Sequence, residues 1–192
     1  MHVIILHGIQ SHSGDHWQRW LAHELEVRKH TVYMPELPNP AHPDRFEWLR
    51  YVKELLKKAP TSNLLLIGHS LGVVSALDFI EQSDKKVHGL ISISGFAADY
   101  GADMNGYFMR QKELYFSAVN DHLAKAFILY GDNDPYVPQE TLENLAALLD
   151  VTPKIITEGG HLNIASEYSE FSLLMDLVKN WKRKNHEHVE TN

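Results

Sequence analysis

The chain contains no cysteine. It therefore has no disulfide, no C-x-x-C redox pair and no thiolate metal site, and an intracellular, cytoplasmic location is the expectation. A basic excess is also missing: 18 Lys and Arg stand against 25 Asp and Glu, a net charge of −7. That balance argues against nucleic acid or an anionic membrane as a partner, since both reward a basic face. Long apolar runs are absent too. The opening stretch 3–6 is far too short for a signal-peptide core, and no run approaches the roughly 20 residues of a membrane span. Neither repeats nor low-complexity tracts occur. At 192 residues the chain fits one domain that buries about 70% of its unfolded surface, enough for a core without staples. The expected domain is 1–184, followed by a flexible tail at 185–192. In the polar end that starts at Lys182, His186-Glu187-His188 reads as exposed polar sequence and not as a metal site.

What is present centres on one stretch, Asn63 to Gln82. The apolar residues Leu64, Leu65, Leu66 and Ile67 read as a strand buried on both faces, and the segment after Leu71 is apolar at helical spacing. Between them lies Gly68-His69-Ser70-Leu71-Gly72, a G-x-S-x-G pattern. A sharp strand-to-helix turn there lifts the serine hydroxyl clear of the sheet at the positive end of the next helix, the position of a nucleophile. Such a turn crowds strand against helix, and Gly68 and Gly72 supply the missing side chains.

Along the rest of the chain, strands are expected at 3–6, 31–34, 64–67, 87–93, 126–130 and 153–156. Helical patterns fill the gaps at 17–27, after Asp44, after Ser70, at 139–149 and at 168–181. Asp44 to Glu47 has capping-box spacing, and Phe46, Leu49, Val52, Leu55 and Leu56 form that helix's expected inward stripe. Four prolines, Pro35, Pro38, Pro40 and Pro43, make the preceding segment an extended loop. The alternation breaks at 97–124, where one short helix is expected at about 106–118. Strands alternating with helices imply an α/β fold with about six mostly parallel strands and helices on both faces, a three-layer sandwich.

Ligands of such sheets sit beyond the carboxyl ends of the strands. That selects His7-Gly8-Ile9, the stretch from Gly68 to Gly72, the stretch from Gly131 to Pro138, and Gly159-Gly160-His161. A serine needs a base to take its proton, and the base needs a carboxylate. His161 follows the last strand, carried on a glycine pair. Asp132 and Asp134 both follow the strand at 126–130; the Asp134-Pro135 step favours an extended backbone, so Asp134 is preferred and Asp132 is assigned to turn bonding. Metal chemistry is not expected, although His7, His12 and His16 lie close together, because no H-E-x-x-H occurs. Trp17, Phe96 and Tyr136 are candidate substrate contacts; Phe108 and Tyr115 are further aromatics for a pocket, with core packing the competing role of each.

His7-Gly8, the elbow around Ser70, Gly131-Asp132-Asn133-Asp134-Pro135-Tyr136-Val137-Pro138 and Gly160-His161 resemble the α/β-hydrolase pattern across the whole chain. The compact form, with Asp15-His16-Trp17 and the proline loop, resembles the small serine hydrolases related to the retinoblastoma-binding serine hydrolase and its bacterial relatives. The resemblance implies a compact α/β-hydrolase fold with Ser70 as nucleophile, Asp134 as acid and His161 as base. It also implies an oxyanion hole from the backbone N–H groups of Ile9 and Leu71. Without cysteine the chain holds no L-x-C-x-E, so a retinoblastoma-type partner is not carried over. The expected activity is hydrolysis of small carboxylic esters or related acyl compounds, without cofactor. A catalytically inactive binding protein and an acyltransferase are the competing functions. Fewer than thirty residues stand where larger hydrolases insert a cap, so a shallow cleft is expected, edged by Trp17 or the proline loop.

Overall fold

A computed structural model describes residues 1–181; the polar end of the chain, with the tail expected at 185–192, lies outside the described residues. Six strands form one sheet: β1 (His2–Leu6), β2 (Thr31–Tyr33), β3 (Leu64–His69), β4 (Gly89–Ile93), β5 (Ala126–Gly131) and β6 (Lys154–Ile156). Their order is β2-β1-β3-β4-β5-β6, and every pairing is parallel. The chain therefore starts one strand in from an edge, adds that edge as β2, returns past β1 and then builds to the other edge.

Parallel pairing needs crossovers, and among the described residues six α-helices lie in them: α1 (Gln18–Val27), α2 (Arg45–Leu55), α3 (Leu71–Glu81), α4 (Gly106–Met109), α5 (Phe116–His122) and α6 (Gln139–Leu148); a seventh, α7 (Ser172–Asn180), follows the last strand. The two-residue period of a strand splits the core in two. Ile4, Leu6, Leu64 and Leu66 point to one face, where Val52, Leu77, Leu142 and Leu145 cover them. Val3, Ile5, Leu65 and Ile67 point to the other, against Leu21, Leu25, Leu174 and Val178. Central strands buried on both faces explain why 64–67 is unbroken apolar sequence. The arrangement is the three-layer α/β-hydrolase fold. Among the described residues no helix is long and apolar enough to cross a membrane.

Three expectations need correction. The inward face of α2 is Arg45, Trp48, Leu49 and Val52, and Phe46 is 50% exposed. The cause is helical phase, since at about 100° per residue Phe46 falls on the flank of the stripe centred on those positions. The expected N-terminal cap does form, Asp44 accepting from the Glu47 N–H at 2.8 Å. The strand expected at 87–93 begins at Gly89; Val87 makes only an isolated bridge to Leu123.

The third correction concerns the excursion after β4, which holds two helices, α4 and α5, in place of one. Arg45 ends α4 early. Its Nη1 donates to the carbonyls of Met109 and Lys112, groups that a longer helix would have paired internally. The same guanidinium makes a two-pronged contact with Asp78, Nε to Oδ2 at 2.7 Å and Nη2 to Oδ1 at 2.9 Å. Lys112 joins Asp78 and Glu81 from the excursion, and the Tyr115 N–H donates to Glu81. A buried cluster of charge thus straps the excursion to α2 and α3.

Candidate active site

Strand β3 is followed immediately by Ser70 and α3. Ser70 has φ 53° and ψ −124°, a conformation costing about 1–3 kcal/mol that only a closely packed turn sustains. The turn is held by the Ser70 N–H donating to the Ile93 carbonyl at 2.9 Å, and by Val73 N–H donating back to Ser70 at 3.0 Å. A Cβ on Gly68 would come within 2.8 Å of Val73, and one on Gly72 would collide with the Leu6 carbonyl of β1. Both glycines therefore let α3 close onto the sheet.

Two loops at the same sheet end meet the elbow. After β5, Asp134 turns back on itself: its Oδ1 accepts from the N–H groups of Tyr136 (2.9 Å) and Val137 (3.1 Å). Its other oxygen, Oδ2, lies 2.7 Å from His161 Nδ1, and the carboxylate is fully buried. Asp132 instead accepts from the Glu158 N–H at 2.8 Å. After β6, Gly160 takes a left-handed φ of 55° and its N–H is held by Asn133 Oδ1 at 2.7 Å. The two aspartates and Asn133 thus divide the work, one facing the imidazole and two bracing the loop that carries it.

Ser70 and His161 line one cavity of about 220 Å³, with Gly8, Ile9, Gln10, His16, Tyr100, Met104, Asn105, Tyr136 and Val137 around them. No hydrogen bond joins Ser70 Oγ to the His161 ring in this structure, a looseness common in ligand-free sites. Among the described residues the Ile9 N–H has no acceptor, and Leu71, as first residue of α3, contributes one of the N–H groups that precede the helical ladder.

Of the candidate substrate contacts, Tyr136 lies in the wall, its ring edge-on to His161 at 5.1 Å. Trp17 and Phe96 are fully buried and outside the lining. Trp17 sits beneath the site, its indole N–H donating to the Leu162 carbonyl at 3.0 Å; Phe96 packs edge-on against Tyr100 at 5.0 Å. Nor do the proline loop, Phe108, Tyr115 or Phe116 reach the cavity. Its roof is Tyr100, Met104 and Asn105.

Three histidines support the site in ways that their positions in sequence do not reveal. His7 is buried, its Nε2 accepting from the Leu37 N–H at 2.9 Å, so Nδ1 carries the proton and donates to the Gly8 carbonyl at 2.8 Å. That carbonyl belongs to the same peptide unit as the Ile9 N–H, which is thereby oriented. Burial lowers the His7 pKa. His69, the variable residue of the elbow, donates from Nε2 to the His161 carbonyl at 2.9 Å, and complete burial holds its pKa well below the ordinary histidine value. His16 accepts at Nδ1 from the Ile164 N–H at 3.2 Å. His12, by contrast, faces outward to Glu36 at 2.7 Å. His7, His12 and His16 therefore have separate partners, and among the described residues no group of three metal-type ligands converges.

Residues 3–180 match the family model described as serine hydrolase. YdeN of Bacillus subtilis (strain 168) is 25% identical over 184 residues, covering 95% of this chain and 96% of that protein. The crystal structure of the B. subtilis ydeN gene product superposes with a TM-score of 0.86 over 94% of this chain and 97% of that one. A YdeN-like protein from Pectobacterium atrosepticum, 16% identical, superposes at 0.67 over 94% and 90% of the two chains, a likeness of fold.

Proposed function

This chain belongs to the serine hydrolase family of the α/β-hydrolase superfamily, and we propose that it cleaves small carboxylic esters through an acyl-enzyme formed on Ser70. The observation that carries the reading is the 2.7 Å contact between His161 Nδ1 and Asp134 Oδ2 at the wall of the cavity that Ser70 enters from its strained turn. With Nδ1 bonded to the carboxylate, Nε2 is the nitrogen free to accept a proton.

In this mechanism the substrate carbonyl sits over Ser70, its oxygen towards the N–H groups of Ile9 and Leu71. His161 takes the hydroxyl proton as Oγ bonds to the carbonyl carbon, and the two N–H groups stabilise the negative oxygen that results. Asp134 stabilises the imidazolium. Collapse breaks the bond to the leaving oxygen, which receives the proton from His161. Water, deprotonated by the same imidazole, then attacks the acyl carbon and restores Ser70 with release of the acid.

The test is covalent labelling. A fluorophosphonate probe is expected to modify wild type at Ser70, while Ser70→Ala neither labels nor turns over a short p-nitrophenyl ester, with a loss of more than about a thousandfold. Folded wild type that takes up no probe, or a Ser70→Ala variant that keeps its activity, contradicts the reading. An inactive binding protein corresponds to the first of these outcomes.

A further inference from the structure

His16 has one nitrogen committed and one unused. Its Nδ1 accepts the Ile164 N–H. A neutral imidazole that accepts at Nδ1 carries its proton on Nε2. Burial keeps this ring below the ordinary histidine value, with His161 adding to the effect and Asp15 opposing it, so the neutral form prevails near pH 7. Among the described residues no hydrogen bond reaches Nε2, and that atom is not sealed from solvent. Since His16 lines the cavity, the Nε2–H opens onto it.

The ring is also held in place. His16 adopts a left-handed φ of 57°, uncommon outside glycine although histidine takes it more often than most residues, and the next residue, Trp17, is tied to Leu162. Its ring stands edge-on to His69 at 5.3 Å, and His69 lies 4.9 Å from His161. His16 and His161 therefore flank the same buried imidazole. In the proposed reaction His161 delivers its proton to the departing oxygen, which therefore leaves within the cavity that His16 also lines.

We propose that His16 is a specificity residue, its Nε2–H donating a hydrogen bond to an oxygen on the leaving group. The preferred substrates are then small esters of neutral alcohols that carry a second oxygen, such as glycol or polyol monoesters. This rests on the esterase reading above. Neutral leaving groups fit because, among the described residues, no Lys or Arg lines the cavity, leaving an anionic one without a counter-charge.

The experiment compares 2-methoxyethyl butanoate with n-butyl butanoate, esters of equal length that differ by one oxygen in place of a methylene. Each kcat/KM is divided by the ester's alkaline hydrolysis rate, which removes the intrinsic difference in leaving ability. Wild type is expected to favour the methoxyethyl ester by about five- to tenfold, the usual worth of one net hydrogen bond. In His16→Phe the normalised ratio should fall to about one. If that variant does not fold, His16→Gly, which takes positive φ freely and carries no side-chain donor, should lose the preference likewise. A wild-type ratio of one in enzyme that labels with fluorophosphonate overturns the role of His16, and so does a preference that survives in a folded variant. Wild type that neither labels nor hydrolyses either ester overturns the esterase reading itself.

Discussion

At the scale of single residues, the two aspartates after β5 make the sharpest contrast. Asp134 faces His161, and Asp132 holds the Glu158 N–H on the far side of the same loop. Asp134→Asn replaces the accepting oxygen or presents a competing donor to Nδ1, which disfavours the productive tautomer; kcat is expected to fall by on the order of 10⁴. Asp132→Asn keeps an oxygen for the Glu158 N–H, and its cost should stay within about tenfold. Steady-state kinetics on a short p-nitrophenyl ester decide between them, and the reverse order would transfer the proposed acid role to Asp132. Asn133 belongs with this pair, because its side chain holds the Gly160 N–H.

At the scale of elements, the excursion between β4 and β5 depends on charge buried beneath it. Arg45 on α2 and Asp78 on α3 are both almost fully enclosed, and Lys112 brings the excursion to them. Removing one partner leaves the buried Arg45 without its counter-charge, so Asp78→Ala should destabilise the protein by about 3–5 kcal/mol. The double change Arg45→Met with Asp78→Leu removes both charges and should cost clearly less than the single one. Urea denaturation of the three proteins measures this, and a double variant that is the least stable of them would contradict it. Because Tyr100, Met104 and Asn105 roof the cavity from the same excursion, Asp78→Ala should also raise KM more than it lowers kcat.

At the scale of the whole molecule, stability should weaken between pH 7 and 5. His7, His16 and His69 are each held below the ordinary histidine value, first of all by burial. In that interval the unfolded chain binds more protons than the folded one, so unfolding free energy falls as pH drops below about 6.5, by up to about 1.4 kcal/mol per pH unit for each of the buried rings His7 and His69 and by less for the half-buried His16, which solvent screens. His12 is pulled the other way by Glu36, but it is fully exposed and its contribution is screened. Denaturant midpoints measured at pH 7.5 and 5.5 should show the decline; a flat profile would mean that these rings protonate in place. The cavity also sets a limit on substrate size. Its volume of about 220 Å³ and short roof leave little room beyond the first few carbons of an acyl chain, each buried methylene being worth about 0.8 kcal/mol. Two- to four-carbon p-nitrophenyl esters are expected to give higher kcat/KM than eight-carbon esters, and values climbing steadily to twelve carbons would refute the small site.

Local rules made much of this molecule legible before any coordinates. Unbroken apolar runs become central strands because both faces of a parallel sheet are covered, and the run at Leu64 to Ile67 pairs with β1 on one side and β4 on the other. Gly68 and Gly72 announced a tight turn because the need for a missing Cβ is itself local. Chain order alone brought Ser70, Asp134 and His161 to the same end of the sheet. Tertiary structure decided what depends on distant partners. His7 meets Leu37, His69 meets His161, and Trp17 meets Leu162 across 145 positions; no spacing rule reaches that far, so sequence alone gives the first two no such partner and points Trp17 at the pocket that it underlies. The same holds for Arg45, whose place on a helix stripe of otherwise apolar residues becomes intelligible only beside Asp78. Periodicity records which side of an element is buried. What a buried polar group bonds to is decided by the packing of elements far apart in sequence.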